Sequence, residues 1–420
     1  MATAIELWFD FSCPYAYLAS TQAPALAAQL GVTIAWRPML LGGVFRGIGA
    51  GDGPMATISP VRAAHNLRDM HRWAERFGVP LTMPAAHPMR TVRALRTLLR
   101  LPEAHWPAAI EAIYAAYWVH GYDITSDAVL AETLRAIPGS ADAVATADLA
   151  KDELRARTDE AISLGIFGAP AWYFRDRAIL VWGQDRLPWI AAIARGWDPR
   201  VNANVTADAD VFADATGERE LRFYFDVGSP YAYLALTQLS RLHPSPTLRP
   251  ILLGGLFRSV GTVDVPLFAF PEAKRRYIVM EMQRWARWYG VPFRMPSKFP
   301  QRTQTAQRLI LLAAAHGAAA QVSLARALAH ALWADDGDLE ADTTLAAVLV
   351  SVGLPAALLA ATREPAAKQA LVAATTAAAD AGIFGVPSYV VMSPAPVLVW
   401  GQDRAELVTA LLGGWQPRGG

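Results

Sequence analysis

The sequence predicts an α/β protein built from two homologous halves, and three observations lead to this prediction. The chain has 420 residues, which is too long for one ordinary core. Its residues are 53% hydrophobic and 18% charged, which is the composition of a globular protein. Long stretches recur in the same order in both halves. Within each half, the pattern runs strand–helix–strand, then several helices, then strand–strand–helix.

The repeat covers most of the chain. FDFSCPYAYLAS at 9–20 has its counterpart in FYFDVGSPYAYLALTQ at 223–238. Further pairs follow in the same order: RPMLLGGVFRGIG with RPILLGGLFRSVG, RWAERFGVPLTMP with RWARWYGVPFRMP, LGIFGAPAWYF with AGIFGVPSYVV, and LVWGQDR twice. A repeat of this length predicts duplicated domains. We therefore expect a first domain over 1–200, a polar linker over 201–218 and a second domain over 219–420.

The elements are clearest in the first half. AIELWFDF is an apolar, β-rich run, YAYLASTQAPALAAQL has a helical pattern, and VTIAWRP predicts a second strand. Pro14 suits the first position of that helix, because a backbone N–H there would have no helical partner. Helical insertions are expected at about 60–165 and about 270–380. The strands AWYF and AILVW and a helix near Asp185 complete the first half.

Charge and composition exclude several classes of protein. Lys plus Arg is 38 and Asp plus Glu is 37, so no basic excess indicates a nucleic-acid partner and no polybasic cluster indicates an anionic membrane. No stretch has the pattern of a secretory signal or the ~20 apolar residues of a membrane span. The eight histidines lack ligand spacing, so no metal site is expected. The single cysteine excludes an intrachain disulfide and predicts a reducing, cytoplasmic location.

A predicted strand–helix junction carries a thiol in one half and a hydroxyl in the other. Cys13 and Ser229 each precede the proline that begins a helix. Backbone N–H groups and the helix dipole stabilise a thiolate there, so we expect a lowered pKa and raised reactivity for Cys13. Ser229 could cap its helix or donate to another thiolate, and Cys13 could instead be a small buried hydrophobe. These two are the candidate catalytic residues.

A second repeated motif, GIFGAP and GIFGVP, precedes a predicted strand. It suits a tight turn, either with an ordinary proline or with a cis bond before Pro170 and Pro387. A cis bond would expose the backbone groups of Ala169 and Val386 to an extended, peptide-like ligand.

Two further motifs carry polar side chains. WGQDR sets Gln184-Asp185 and Gln402-Asp403 at another helix start, where an aspartate is commonly just an N-cap. The loops GGVFRG and GGLFRS carry Arg46 and Arg258, and their spacing matches neither a P-loop nor a dinucleotide fingerprint. Such arginines suit a carboxylate ligand or are simply solvated.

Together these motifs resemble the 2-hydroxychromene-2-carboxylate isomerase family, which is related to kappa-class glutathione transferases and DsbA-like proteins. The resemblance lies in the Asp-x-x-(Ser/Cys)-Pro-Tyr-Ala-Tyr-Leu segments that begin at Asp10 and Asp226, and in RPxLLGGxFR, RWAxxxGVP, GIFGxP and WGQDR. It covers nearly the whole chain, twice. It implies a tandem duplication of a thioredoxin-like domain, each copy interrupted by helices. Because the family is often homodimeric, the halves are expected to pack as an intramolecular pseudo-dimer.

The resemblance implies a glutathione site. By position, Ser229 is the family's serine that activates the glutathione sulfur, and Cys13 stands in its place in the first half. The backbone before the two prolines would pair with the cysteinyl part of glutathione, and the Gln-Asp pairs would hold its γ-glutamyl end. Arg46 and Arg258, where the family commonly has Lys, would attract a substrate carboxylate. The family commonly has Asn where this chain has Ala50, Thr262, Arg90 and Arg302.

The implied activity is glutathione-dependent isomerisation of an aromatic-ring catabolite that bears a carboxylate, by reversible addition of a thiolate. A kappa-like glutathione transferase would use the same site without the final elimination. A third option is a DsbA-like monothiol oxidoreductase using Cys13, because Cys13-Pro14-Tyr15-Ala16 lacks the second sulfur of a dithiol enzyme. A fourth is a binding module that has lost catalysis. The motifs leave open the substrate and whether both copies are active.

Overall fold

The computed structural model describes residues 4–51, 58–203, 219–262, 266–392 and 395–418. The predicted linker, 201–218, lies almost wholly outside the described residues. Among the described helices, none is long and apolar enough to cross a membrane.

Each half contains a mixed four-stranded sheet. In the first half, β1 (Ala4–Phe9) is parallel to β2 (Thr33–Pro38) and antiparallel to β3 (Ala171–Phe174), which pairs with antiparallel β4 (Ile179–Trp182). The order across this sheet is β2-β1-β3-β4. The second sheet repeats these orientations in the order β6-β5-β7-β8, with β5 Leu221–Phe225, β6 Thr247–Pro250, β7 Ser388–Val391 and β8 Val397–Trp400.

Helices connect the strands in the predicted order. In the first half they are α1 Pro14–Leu30, α2 Leu41–Gly47, α3 Pro60–Arg76, α4 Val92–Arg100, α5 Trp106–Trp118, α6 Asp127–Thr133, α7 Ser140–Ala145, α8 Lys151–Ser163 and α9 Leu187–Ala194. In the second half they are α10 Pro230–Gln238, α11 Leu253–Ser259, α12 Pro266–Ala269, α13 Glu272–Tyr289, α14 Gln304–Ala313, α15 Ala318–Trp333, α16 Asp342–Ser351, α17 Leu358–Ala361, α18 Pro365–Asp380 and α19 Ala405–Leu412. The predicted tandem α/β fold is confirmed, and a proline begins both α1 and α10.

A tryptophan from the inserted helices anchors each strand–helix junction. Trp118 Nε1 donates to the carbonyl of Phe11 at 2.8 Å, and Trp333 Nε1 donates to the carbonyl of Val227 at the same distance. Both indoles are fully buried. Because a buried backbone carbonyl needs a donor, these bonds hold the turn before Cys13 and the turn before Ser229 against the insertion.

The first residue of the resemblance motif is a buried carboxylate. Asp10 Oδ1 accepts hydrogen bonds from the N–H of Ser12 at 3.0 Å and from Thr91 Oγ1 at 2.6 Å, while Oδ2 accepts from the N–H of Leu41 at 2.7 Å. Asp226 is buried in the same way in the second half. Burial raises the pKa of both carboxyls, and their hydrogen bonds oppose that rise. These aspartates fix the start of α2 and of α11 relative to the end of the first strand.

The second glycine of GIFGxP is required by packing. A Cβ at Gly168 would lie 2.9 Å from Trp182 Nε1, and a Cβ at Gly385 would lie 2.8 Å from Trp400 Nε1. The tryptophan of each WGQDR motif therefore lies directly on the turn that precedes Pro170 or Pro387. Any side chain at this glycine would force the indole away.

We expect Gly168→Ala to lower the free energy of unfolding by about 1–3 kcal/mol, because the added methyl overpacks a closed contact. Gly42→Ala is the matched control, since a Cβ there meets no heavy atom within 4 Å and the residue lies in α2. It should leave stability unchanged or raise it by up to ~1 kcal/mol. Chemical denaturation of both variants checks this, and equal stability would contradict the packing argument.

Candidate functional site

The first-half junction places a thiol against the cis proline turn. Cys13 is the N-cap residue of α1 and is 7% exposed. Its Sγ donates a hydrogen bond to the carbonyl oxygen of Ala169 at 3.1 Å. The Ala169–Pro170 bond is cis, the second of the two turn types that the sequence allows. Two repeated motifs that are distant in sequence therefore meet here, and a ligand at this junction would have to replace the thiol–carbonyl bond.

The second-half junction has the same plan with a hydroxyl. Ser229 is the N-cap residue of α10, is 5% exposed, and accepts a hydrogen bond from the N–H of Ala232 at 3.3 Å. The Val386–Pro387 bond is also cis. The capping role considered for Ser229 is thus confirmed. Because its oxygen acts as the acceptor in the cap, the hydroxyl proton remains available for donation.

Burial dominates the acid–base behaviour of Cys13. It raises the pKa of the thiol to about 12, the charge of Asp10 adds to the rise, and the backbone N–H groups of Ala16 and Tyr15 oppose it. The expectation of a lowered pKa is therefore wrong. The N–H groups at the helix start do act on the sulfur, but its removal from water is the larger effect.

The WGQDR motifs lie beside the cis proline turns. The N–H of Gly183 donates to the carbonyl of Pro170 at 3.1 Å, and that of Gly401 donates to the carbonyl of Pro387 at 3.0 Å. Gly183 has φ +121° and a Cβ there would lie 2.6 Å from Asp185 Oδ1, so only glycine fits.

The two aspartates do not cap the helices that follow them, so the capping alternative for these residues is wrong. The N-cap residues are Arg186 for α9 and Arg404 for α19. Asp185 and Asp403 lie one residue before them and contact arginines instead of capping a helix.

Four residues form a closed ionic ring between the two halves. Arg186 contacts Asp185 at 2.7 Å and Asp403 at 2.6 Å. Arg404 contacts Asp403 at 3.2 Å and also contacts Asp185. Each arginine therefore bridges the aspartate of its own half and the aspartate of the other half. These four largely buried residues are referred to below as the arginine–aspartate ring.

Two more carboxylates extend the ring across the halves. Arg404 Nη2 lies 3.2 Å from Asp69 on α3, and Arg186 Nη2 lies 3.1 Å from Glu281 on α13. Burial raises the pKa of Asp69 and of Glu281, and the neighbouring arginine opposes the rise in each case. Arg186, Arg404, Asp69 and Glu281 were not among the site residues predicted from the sequence. The arginines stand in the repeated WGQDR motif, so its last letter was an available signal.

Tyr15, in the first turn of α1, lies near the ring. Burial raises the pKa of its hydroxyl, the charge of Asp69 adds to the rise, and Arg404 opposes it. The hydroxyl donates a hydrogen bond to the carbonyl of Asn66 at 3.3 Å. Tyr231 has the corresponding surroundings in the second half.

The glutamines of the two motifs differ. Gln184 is buried, and its Nε2 has no hydrogen-bond partner among the described residues. Gln402 Oε1, in contrast, accepts from Tyr289 OH at 2.6 Å. An unpaired buried amide donor is costly, and a ligand carboxylate would satisfy it. The first-half site therefore contains a buried amide donor that is suited to pair with a ligand carboxylate.

Arg46 and Arg258 do not belong to the arginine–aspartate ring. Both are exposed, in the last turns of α2 and α11. The buried aspartates bond to the first residue of these helices, Leu41 and Leu253, and so tie the two helices to the junctions. A carboxylate-binding role and a solvated surface role both fit these positions.

An open surface cavity of about 740 Å³ lies elsewhere, between α5 and α6. It includes none of the predicted site residues. Its lining consists of Ala112, Ala115, Ala116, His120, Tyr122, Ala128, Val129, Glu132, Thr133 and Arg135.

Comparison with known families bears on this geometry. The profile of the DsbA-like thioredoxin domain matches the chain twice, over residues 4–193 and 220–413. The chain belongs to this family. The predicted tandem thioredoxin-like architecture is thereby confirmed, with each copy spanning one sheet and its inserted helices.

Individual relatives each match less than half of this chain. The 2-hydroxychromene-2-carboxylate isomerase of Sphingobium xenophagum is 29% identical over 194 residues, which are 45% of this chain and 97% of the isomerase. Glutathione S-transferase kappa 1 of Caenorhabditis elegans is 29% identical over 180 residues, 40% of this chain and 78% of the transferase. A solved structure of a 2-hydroxychromene-2-carboxylate isomerase is 25% identical and covers 46% of this chain and 95% of its own, with a TM-score of 0.41. The resemblance to the isomerase family is confirmed at the level of sequence.

We expect Cys13 to react slowly in the native protein. With a thiol pKa of about 12, the thiolate fraction at neutral pH is roughly 1,000-fold below that of an ordinary cysteine, so alkylation should be slower by a similar factor and accelerate up to pH 11. Mass spectrometry of iodoacetamide labelling measures this rate, and Cys13 is the only thiol in the chain. The same chain in denaturant is the control. A native rate that levels off below pH 8 would contradict the burial argument.

Proposed function

We propose that this protein is a glutathione-dependent isomerase of the 2-hydroxychromene-2-carboxylate type. The observation that carries the proposal is the hydrogen bond from the Cys13 thiol to the carbonyl of Ala169, which sets an N-cap residue against the turn before Pro170. Ser229 has the corresponding N-cap position in the second half, and 45% of the chain is 29% identical to such an isomerase. The buried donor of Gln184 adds support, since it suits a carboxylate of the bound peptide. Dependence on reduced glutathione would suit the reducing cytoplasm that the single cysteine predicts.

The chain's residues have separate roles in this proposal. When bound, glutathione would supply a nucleophilic sulfur for reversible addition to an electrophilic carbon of the substrate. Ser229 would donate its hydroxyl proton to hold negative charge at the start of α10, where backbone N–H groups also converge. The backbone of Val386, at the cis bond, would hold an extended peptide. Arg258 would attract the carboxylate of an aromatic substrate.

The two junctions are unequal in this scheme. In the first half, Cys13 directs its proton to the carbonyl of Ala169 and lies in surroundings that disfavour a thiolate. A monothiol oxidoreductase centred on Cys13 is therefore disfavoured. The first half would hold glutathione through Ala169–Pro170, Gln184 and Asp185, with Arg46 toward the substrate, and the second half through Val386–Pro387, Gln402 and Asp403.

A kappa-like glutathione transferase is the second candidate, favoured by the 29% identity to the nematode kappa transferase. The same residues would hold the sulfur, and the product would keep it. Parallel assays with 2-hydroxychromene-2-carboxylate and with a generic aromatic electrophile separate the two. Turnover of the chromene without net loss of glutathione supports the isomerase, and stoichiometric consumption of glutathione would reject it.

Ser229→Ala should lower kcat/KM by about 100-fold, because it removes one donor to a developing negative charge. Ser351→Ala is the matched control, since Ser351 is exposed and its hydroxyl bonds only to the preceding turn of α16. Steady-state kinetics with glutathione measures both. Full activity of Ser229→Ala would remove Ser229 from the mechanism. Cys13→Ser tests the redox alternative, which activity retained in that variant would eliminate.

We further propose that the halves pack as an intramolecular pseudo-dimer. Equivalent contacts run in both directions between the halves. Arg72 of the first half donates to the carbonyl of Leu398 at 2.7 Å, and Arg284 of the second half donates to the carbonyl of Leu180. The rings of Trp189 and Trp285, one from each half, lie 4.4 Å apart. Such reciprocal contacts are those of a two-fold interface between like subunits.

A protease recognition sequence inserted within 204–218 tests this packing. After cleavage the halves should co-elute in gel filtration at the size of the intact chain, because the contacts between them are buried and ionic. The uncleaved insertion variant is the control. Separation into two species of half the mass would show that the halves are joined only by the peptide bond.

A further inference from the structure

We propose that the arginine–aspartate ring couples the glutathione sites of the two halves, with Arg186 and Arg404 as positioning residues that act on both sites at once. This inference rests on the proposed function, which places a γ-glutamyl end at Asp185 and another at Asp403. It adds a property that two separate thioredoxin-like domains would not have: binding in one half changes affinity in the other.

The sharing of partners within the ring is the basis of the coupling. Arg186 lies 2.7 Å from the aspartate of its own half and 2.6 Å from that of the other half. Arg404 likewise contacts both Asp403 and Asp185. Neither aspartate therefore has an arginine that it does not share. A ligand that pairs with one aspartate would therefore change how strongly both arginines bind the other aspartate.

Burial makes such a change strong. The side chains of Asp185 and Arg186 are 6% and 8% exposed, so water does not screen their charges effectively. Asp69 and Glu281 hold the outer side of the ring, and a further arginine acts on each of them, Arg72 on Asp69 and Arg284 on Glu281. A ligand ammonium group at one aspartate would compete with the arginines of the ring for its carboxylate. Its arrival at one aspartate would let the arginines shift toward the other aspartate.

Each site is therefore completed by the half that does not contain it. Asp185 belongs to the first half, and Arg404, which fixes its carboxylate from across the interface, belongs to the second. Asp403 is held in the same way by Arg186. Because the two halves are joined in one chain, the ring always contains one arginine and one aspartate from each half. Coupling of this kind is reciprocal by thermodynamic necessity.

Calorimetric titration of the full chain with S-methylglutathione, which can form neither a disulfide nor a conjugate through its sulfur, tests the coupling. The wild type should bind two equivalents. Arg404→Gln and Arg186→Gln should each weaken both binding events, by about tenfold, although each variant changes only one half. Arg404→Lys restores the charge and should recover part of the affinity at both sites. It also carries the test if the glutamine variant does not fold.

Two other arginines that cross between the halves serve as controls. Arg76 pairs with Glu406 at 2.8 Å at an exposed position, and Arg72 bonds to the carbonyl of Leu398 at a buried one. Arg76→Ala and Arg72→Met should leave both affinities within twofold of wild type, although Arg72→Met should lower the melting temperature. If Arg72→Met weakened both events as much as Arg404→Gln, general loosening of the interface would explain the effect, and the positioning role would be overturned.

The remaining outcomes separate this inference from the proposed function. Loss of one binding event with an unchanged second event in Arg404→Gln would show independent sites and overturn the coupling. A wild type that binds one equivalent would overturn it as well, since coupling requires two sites. A wild type that binds none would overturn the proposed function itself.

Discussion

Charges that are removed from water must keep their partners, and this constraint shapes the centre of the molecule. The arginine–aspartate ring brings two guanidinium groups and two carboxylates from both halves into one buried cluster. Removing a single partner from such a cluster leaves an uncompensated charge, which typically costs about 3–5 kcal/mol. Each arginine has partners in both halves, so the ring contributes ionic contacts between the halves at the place where the predicted ligand sites lie.

A second layer of buried polar contacts holds the strand–helix junctions. Asp10 ties the end of β1 to the start of α2, and Trp118 ties the same turn to the inserted helices. The thiol of Cys13 then contacts the turn before β3. Three segments far apart in sequence are thereby fixed within one small region. A site of this kind is preorganised by the scaffold, which is what positioning of a reactive sulfur requires.

The two halves share this scaffold but differ in chemistry. Ser229 accepts the N–H of Ala232 in its cap, which leaves the hydroxyl proton available for donation, whereas Cys13 lies in surroundings that favour the neutral thiol. Gln184 keeps a buried donor without a partner among the described residues, whereas Gln402 accepts from Tyr289. Duplication has thus preserved the architecture while the polar groups that would touch a ligand have diverged.

The duplication, the order of strands and helices and the tight turn before Pro170 were predictable from the sequence, because repeats, periodicity and turn chemistry can be read from the order of residues. For Ser229 the sequence left a cap and a donor role open, and the structure shows the cap. The sequence also located the motifs that meet at the junctions. The direction of the pKa shift of Cys13 was not predictable in this way, since burial depends on which distant segments pack over the sulfur. The partners of Asp185 and Asp403 likewise depend on distant segments. An aspartate before a helix suggests a cap, but each of these two contacts an arginine from the other half of the chain.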